Sequence, residues 1–194
     1  MAFSVSTPLI ITSYTPLETV LSTPIPLVAL AWGSKSHSST RLPVWATAAA
    51  KFTQVVERYD FIFIDCPPSL ELLTLNALCA ANSLLVPVQG EYFALEGLSD
   101  LMNTVRLVRR GMNPDLQIEG VLLTMFDGRT NLSIQVAQEI KRFFPGKVYA
   151  TVIPRNVRLS EAPSHGKPIC GYDRTCRGTE AYAALADEFL KKNA

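Results

Sequence analysis

Apolar and polar positions are patterned in two different ways along this chain. From residue 51 onward, short apolar runs alternate with longer stretches of helical period. The runs are Phe61–Asp65 (FIFID), Ser83–Val88 (SLLVPV), Ile118–Phe126 (IEGVLLTMF) and Val148–Ile153 (VYATVI). A run with no polar alternation suits a strand covered on both faces, as in parallel sheets with helices above and below. Between the runs, Leu98, Leu101, Val105 and Val108 recur at helical spacing over Ala94–Arg110, and Leu132, Val136, Ile140 and Phe143 do so from Asn131. A basic last turn (Arg106, Arg109, Arg110) and Gly111 close the first of these helices, and Pro145–Gly146 closes the second. Further helices are expected over Ala48–Tyr59, from a Ser69 cap through Leu78, and over Thr179–Lys192. This alternation predicts an α/β fold with a mostly parallel sheet, right-handed crossovers and flanking helices.

Residues 1–50 follow neither pattern. They hold three charged side chains, Glu18, Lys35 and Arg41, and are rich in Ser, Thr and Pro. The expected organisation is an irregular low-charge leader over 1–50 and an α/β domain over 51–194. Two leader segments, Pro8–Tyr14 (PLIITSY) and Pro26–Trp32 (PLVALAW), are β-prone, and each starts at a proline, where a strand can begin. One of them is expected to pair beside Phe61–Asp65, because an unpaired edge inside an apolar sheet leaves backbone groups unsatisfied.

Composition narrows the function classes. The 194 residues carry a net charge of +1, so no global charge dictates a partner. The four cysteines form no C-x-x-C pair, and His37 and His165 lie far apart, which argues against zinc and for a reduced, cytoplasmic setting. The N-terminus has no basic n-region, and its best apolar run is too short to span a bilayer. No G-x-G-x-x-G follows any expected strand, which removes a dinucleotide-dependent dehydrogenase.

Two places carry candidate chemistry. Pro67 and Pro68 stop the first strand, so Asp65 falls at its carboxyl edge, where open α/β sheets bind ligands. It is either a strand-terminal acid that solvates or caps the next turn, or a carboxylate of a Mg²⁺ shell near nucleotide phosphates. Residues 129–158 hold Arg129, Lys141, Arg142, Lys147, Arg155 and Arg158 against the single acid Glu139, a net of +5. That is either a solvated helix face with loop charges or the footprint of sequence-independent DNA binding. His165 has no partner at catalytic spacing and reads as a loop histidine.

Four blocks, YDFIFIDCPPSLELLTLNAL (59–78), EYFALEGLSDLMNTVRLVRR (91–110), IEGVLLTMFDGRTNL (118–132) and VIPRNVRLSEAPSHGKPI (152–169), resemble the ParA/Soj partition ATPases, relatives of MinD in the deviant P-loop class. The resemblance covers residues 51–194 and implies an incomplete doubly wound, P-loop NTPase-like sheet. It implies that Asp65 is the Walker B acid that holds Mg²⁺ through water, and that Pro67 lies in the segment sensing the γ-phosphate of ATP. Pro154 and Asn156 are implied base-pocket residues, although a proline-stiffened turn explains them equally. Arg129 and Arg158 match arginines that the family uses on non-specific DNA, with Lys141 and Arg142 beside them. A ParB-type partner, a homodimer and a nucleoid-associated location follow from the same resemblance.

Two family motifs do not occur: the K-G-G-x-G-K-[ST] phosphate loop and D-x-D-P-Q-G. The nearest stretch, WGSKSHSST (32–40), has a single glycine before Lys35 and reads as a solvated loop. No intact catalytic set is expected, nor is ATP hydrolysis by this chain alone. The leader composition suits a shifted reading frame or a rearranged gene start. Chromosome or plasmid partitioning is the family function, and the alternative is a non-enzymatic remnant that binds DNA or a partner weakly. Two local departures stand out: Gly90 where cysteine is usual, and no proline after Tyr172–Asp173.

Overall fold

The computed structural model describes residues 59–66 and 72–193 in full and the backbone of 9–11 and 27–31. The expected helix over Ala48–Tyr59, Pro67, the Ser69 cap, WGSKSHSST and the remainder of the leader lie outside the described residues, but for Tyr59. The elements in chain order are β1 (Leu9–Ile11), β2 (Leu27–Ala31), β3 (Ile62–Cys66), α1 (Leu72–Ala80), β4 (Ser83–Gln89), α2 (Phe93–Gly111) and β5 (Gln117–Thr124). They continue with α3 (Asn131–Phe143), α4 (Val157–Glu161), a 3₁₀ turn (Ala162–His165), α5 (Ile169–Tyr172) and α6 (Arg177–Lys192). The fold class is α/β, with a five-stranded sheet in the order β1-β3-β2-β4-β5.

Both leader segments join that sheet, where one was expected. β1 pairs parallel with β3, Leu9 opposite Ile62 and Ile11 opposite Ile64. β2 runs antiparallel on the other side of β3, from Leu27 opposite Cys66 to Ala31 opposite Ile62. It also pairs antiparallel with β4, Val28 opposite Leu85 and Leu30 opposite Ser83. Being antiparallel to both, it leaves β3 and β4 parallel to one another with a reversed strand between them. Backbone N–H and C=O groups can complete a ladder in either direction, so direction alone does not decide whether this segment pairs.

The chain divides into two compact units, 1–86 with 97–119, and 87–96 with 120–194. In the first, Ile62, Leu78, Leu84, Val86, Val105, Val108 and Leu116 are almost fully buried. The α2 stripe expected from periodicity is the one buried: Leu98, Leu101, Val105 and Val108 all lie inside. Asn113 closes the end of α1 by donating from its amide to the carbonyls of Leu78 (2.9 Å) and Ala81 (2.8 Å). That satisfies two acceptors a helix end would otherwise leave open. Gly111 is the last residue of α2 rather than a left-handed cap beyond it, and the amides of Met112 and Asn113 both return to Val108 O at 2.8 Å.

In the second unit, Val121, Leu122, Leu123, Val136, Ile140, Tyr149 and Ile153 are buried. The α3 stripe differs from expectation. Ser133, Val136, Ala137 and Ile140 face inward, whereas Leu132 and Phe143 are exposed. Ser133 is drawn in because its hydroxyl donates to Gly90 O at 3.0 Å. A Cβ at residue 90 would stand 2.9 Å from that hydroxyl, so glycine there and Ser133 fit together. The expected strand over Val148–Ile153 reduces to isolated bridges, Val121 with Val148 and Phe126 with Pro154. The amides of Ala150 and Thr151, midway along it, are taken at 2.8 Å each by the Glu188 carboxylate of α6, which removes them from any ladder. Between this segment and α6, residues 157–172 hold α4, the 3₁₀ turn and α5. Gly146 (φ 72°) and Gly166 (φ 61°) supply the left-handed turns that follow α3 and the 3₁₀ segment. Among the described residues no helix is long and apolar enough to cross a membrane.

Candidate functional site

Asp65 is the exposed position of β3, one residue before its end, opposite Val28 of β2. Enough protein surrounds the carboxyl to push its pKa up through desolvation, and no hydrogen bond or ion pair joins it to a described residue. A carboxylate at a strand end, with no cation beside it among the described residues, fits one side of a hydrated Mg²⁺. It does not hold phosphate, and the strand beside it runs antiparallel, so the described residues at this edge supply no glycine-rich N–H cradle. The described residues fit a metal contact and do not by themselves make a complete nucleotide site.

The other candidates lie in the second unit. β5 ends at Thr124, and Met125 follows with φ 48°, a left-handed conformation that is uncommon for a side chain of its size. That turn directs the chain into Phe126, which bridges Pro154, and then into Asp127-Gly128-Arg129. The Arg129 guanidinium donates from Nε to Asp127 Oδ1 (2.8 Å) and from Nη2 to Oδ2 (2.7 Å), and the Arg129 amide donates to Oδ1 (3.1 Å). These bonds hold the Asp127 carboxyl at a pKa of about 2 and raise that of the arginine. The Arg129 side chain is 89% exposed even so. Thr130 then caps α3, its hydroxyl accepting from the Ser133 amide.

Pro154 and Asn156 follow on the facing strand remnant. Asn156 is the N-cap of α4, and its side-chain oxygen accepts from the Arg158 amide at 2.8 Å. Its carbonyl is thereby committed to the backbone. The Arg158 guanidinium donates to Glu161 (2.9 Å) and lies 3.4 Å from Asp173. Glu161 also accepts from the Tyr172 hydroxyl at 3.1 Å, and His165 stacks on the Tyr172 ring with centroids 5.0 Å apart. The hydrogen bond from Arg158, with that from Tyr172, lowers the Glu161 pKa. His165 is thus a packing residue of this turn.

Lys141 and Arg142 are exposed in the last turn of α3, and Lys147 is exposed just beyond it. Asp127 lies just before residues 129–158, and Glu161 and Asp173 lie after them. Over 127–173 the count is seven Lys and Arg against four Asp and Glu, a net of +3. Both arginines singled out for DNA already hold a carboxylate. Their spacings, Asp two before Arg129 and Glu three after Arg158, were the available signal.

A family described as an AAA domain matches residues 33–118. The sporulation initiation inhibitor protein Soj of Bacillus subtilis is 67% identical over 134 residues, which cover 69% of this chain and 53% of Soj. The chromosome partitioning protein ParA of Myxococcus xanthus is 58% identical over 135 residues, 70% of this chain and 48% of that protein. The chain spans about half the length of the curated relatives it matches. Among solved structures, cobyrinic acid a,c-diamide synthase of Mycobacterium smegmatis with ADP and magnesium aligns with TM-score 0.63 and 32% identity, over 78% of this chain and 55% of the synthase. The cell division ATPase MinD of Pyrococcus furiosus aligns with TM-score 0.60 and 25% identity, over 77% of this chain and 59% of MinD. Over the part these relatives share with it, which is most of its length, the chain belongs to the ParA/Soj family of partition ATPases.

Proposed function

We propose that this chain is a partitioning protein of ParA/Soj type that contacts DNA without regard to sequence and does not hydrolyse ATP by itself. The observation that carries the reading is the 67% identity with Soj over 134 residues. DNA contact falls to the exposed cations of residues 129–158, with Arg129, Arg158, Lys141 and Arg142 as the residues involved. Chromosome partitioning, a ParB-type partner, a homodimer and a nucleoid-associated place in the cytoplasm follow from the family, with residues 51–194 as its domain. Asp65 is the residue to hold Mg²⁺ through water, with Pro67, Pro154 and Asn156 on the nucleotide. The missing K-G-G-x-G-K-[ST] loop and the reversed β2 beside Asp65 favour a binding module over an enzyme, because phosphoryl transfer depends on positioning and charge neutralisation around the phosphates.

The test is a gel shift with a short mixed-sequence duplex at two salt concentrations, on wild type and an Arg129→Ala, Arg158→Ala double variant. Weak binding that falls steeply with salt, and falls further in the double variant, is expected. Equal binding by the two proteins would remove these arginines from the interface.

A further inference from the structure

Among the described residues, Arg129 and Arg158 differ from Lys141, Arg142 and Lys147 in already holding a carboxylate. Arg129 offers Asp127 two parallel N–H bonds, the same fork that a phosphate accepts. Arg158 holds Glu161 at 2.9 Å and has Asp173 at 3.4 Å. The charge of Arg155 also helps to lower the Asp127 pKa. Lys141, Arg142 and Lys147 have no carboxylate within ion-pair distance among the described residues. The pairs at Arg129 and Arg158 are exposed, so they contribute little to folding. What they do is cancel positive charge at the two positions assigned to DNA.

We propose that Asp127 and Glu161 are built-in competitors for nucleic-acid phosphate at Arg129 and Arg158, so that the chain's own carboxylates set how tightly this surface holds DNA. The inference rests on the DNA-binding reading above. Phosphate engages each arginine by displacing its carboxylate. While the pair is closed, Arg129 with Asp127 carries no net charge and releases no counterion. The cations without partners give a first, weak hold, and opening the pairs adds the remainder.

The chemistry allows a clean substitution. Asp127→Asn keeps the Oδ1 that accepts from the Arg129 amide at 3.1 Å, and the Asp127 carbonyl still accepts from the Thr130 amide at 3.1 Å. The turn is retained and only the charge goes. In the full chain, Asp127→Asn should tighten binding to a short mixed-sequence duplex about two- to fivefold at low salt, the worth of one exposed ion pair. The plot of log affinity against log salt should steepen by about 0.9, one further phosphate neutralised. The gain should vanish in an Asp127→Asn, Arg129→Ala double variant. If Arg129→Ala weakens binding but Asp127→Asn leaves it equal or weaker, the competition is wrong and the DNA reading stands. A gain that survives in the double variant would also overturn it, since the carboxylate would then act through overall charge. If neither single variant changes binding, the DNA reading of Arg129 fails and the inference goes with it. Should Asp127→Asn not fold, Glu161→Gln, which can still accept from Tyr172, carries the same expectation for Arg158: a gain supports the competition and no gain refutes it.

Discussion

Val28 of the leader stands opposite Asp65 in antiparallel register. The strand beside the candidate metal acid therefore runs the opposite way to β3, and the chain leaves it at Ala31, opposite Ile62 at the far end of β3. Open α/β sheets bind ligands at the carboxyl ends of their parallel strands, and a phosphate loop serves a neighbouring acid when its strand runs the same way. Among the described residues, the strand beside Asp65 therefore has the opposite direction to the one such a loop would follow.

The leader nevertheless has a structural task. Ala29 pairs with Ile64 on one side and Leu84 on the other, a central position in which every amide is needed. Ala29→Pro should cost about 3 kcal/mol or more and bring association through the opened edges. Deletion of residues 1–45 should do the same. Size-exclusion chromatography with urea unfolding checks both. A monodisperse deletion variant with an unchanged midpoint would show that β3 and β4 need no partner there.

Glu188 ties α6 to the broken strand over 148–153. Burial alone would raise its pKa, but hydrogen bonds from Ala150, Thr151 and Lys192 more than offset this and bring it down to about 2 from 4.5. A carboxylate with a depressed folded-state pKa stabilises fully above its unfolded value and loses that contribution as pH falls through the folded one. Stability should therefore drop between about pH 4.5 and 2. Glu188→Gln should cost about 1–2 kcal/mol at neutral pH, discounted because the group keeps contact with water, and should flatten this acid limb. Urea midpoints across pH 2–6 are the measurement. Parallel curves for the two proteins would mean that the carboxylate plays no such part.

Gly120 lies where β5 passes Tyr149. A Cβ there would come within 2.5 Å of the Tyr149 ring and 2.8 Å of Lys147 O, and the tyrosine is buried and the oxygen is backbone. Gly120→Ala should destabilise by about 1–3 kcal/mol through overpacking. An unchanged urea midpoint would show that the strand remnant moves freely.

Particular residues show how much of this was legible in the sequence. The buried stripe of α2, from Leu98 to Val108, was readable because a single helix face decides it. The stripe of α3 was half readable. Val136 and Ile140 are inside, but Ser133 took the place given to Leu132, because its hydroxyl has a partner in Gly90 that no periodicity reveals. The strand over 148–153 was not readable, since what interrupts it is a glutamate from the last helix. The short helices of 157–172 do carry local signs: Asn156 as a cap, Pro163 in a first turn and Gly166 at a C-terminus. Of the candidate site, Asp65 and the two arginines are visible in the sequence, and Asp127 and Glu161 stand at readable spacings from the arginines, whereas the approach of Asp173 to Arg158 required the fold.

The central claim is that this family member has kept a DNA-facing surface without a working phosphate site. The measurement that tests it most directly is duplex affinity with and without ATP and Mg²⁺, alongside phosphate release, on wild type and Asp65→Ala. The account predicts weak binding unchanged by nucleotide, no phosphate release above background, and no difference for Asp65→Ala. ATP-dependent tightening, or phosphate release, abolished by Asp65→Ala would contradict it.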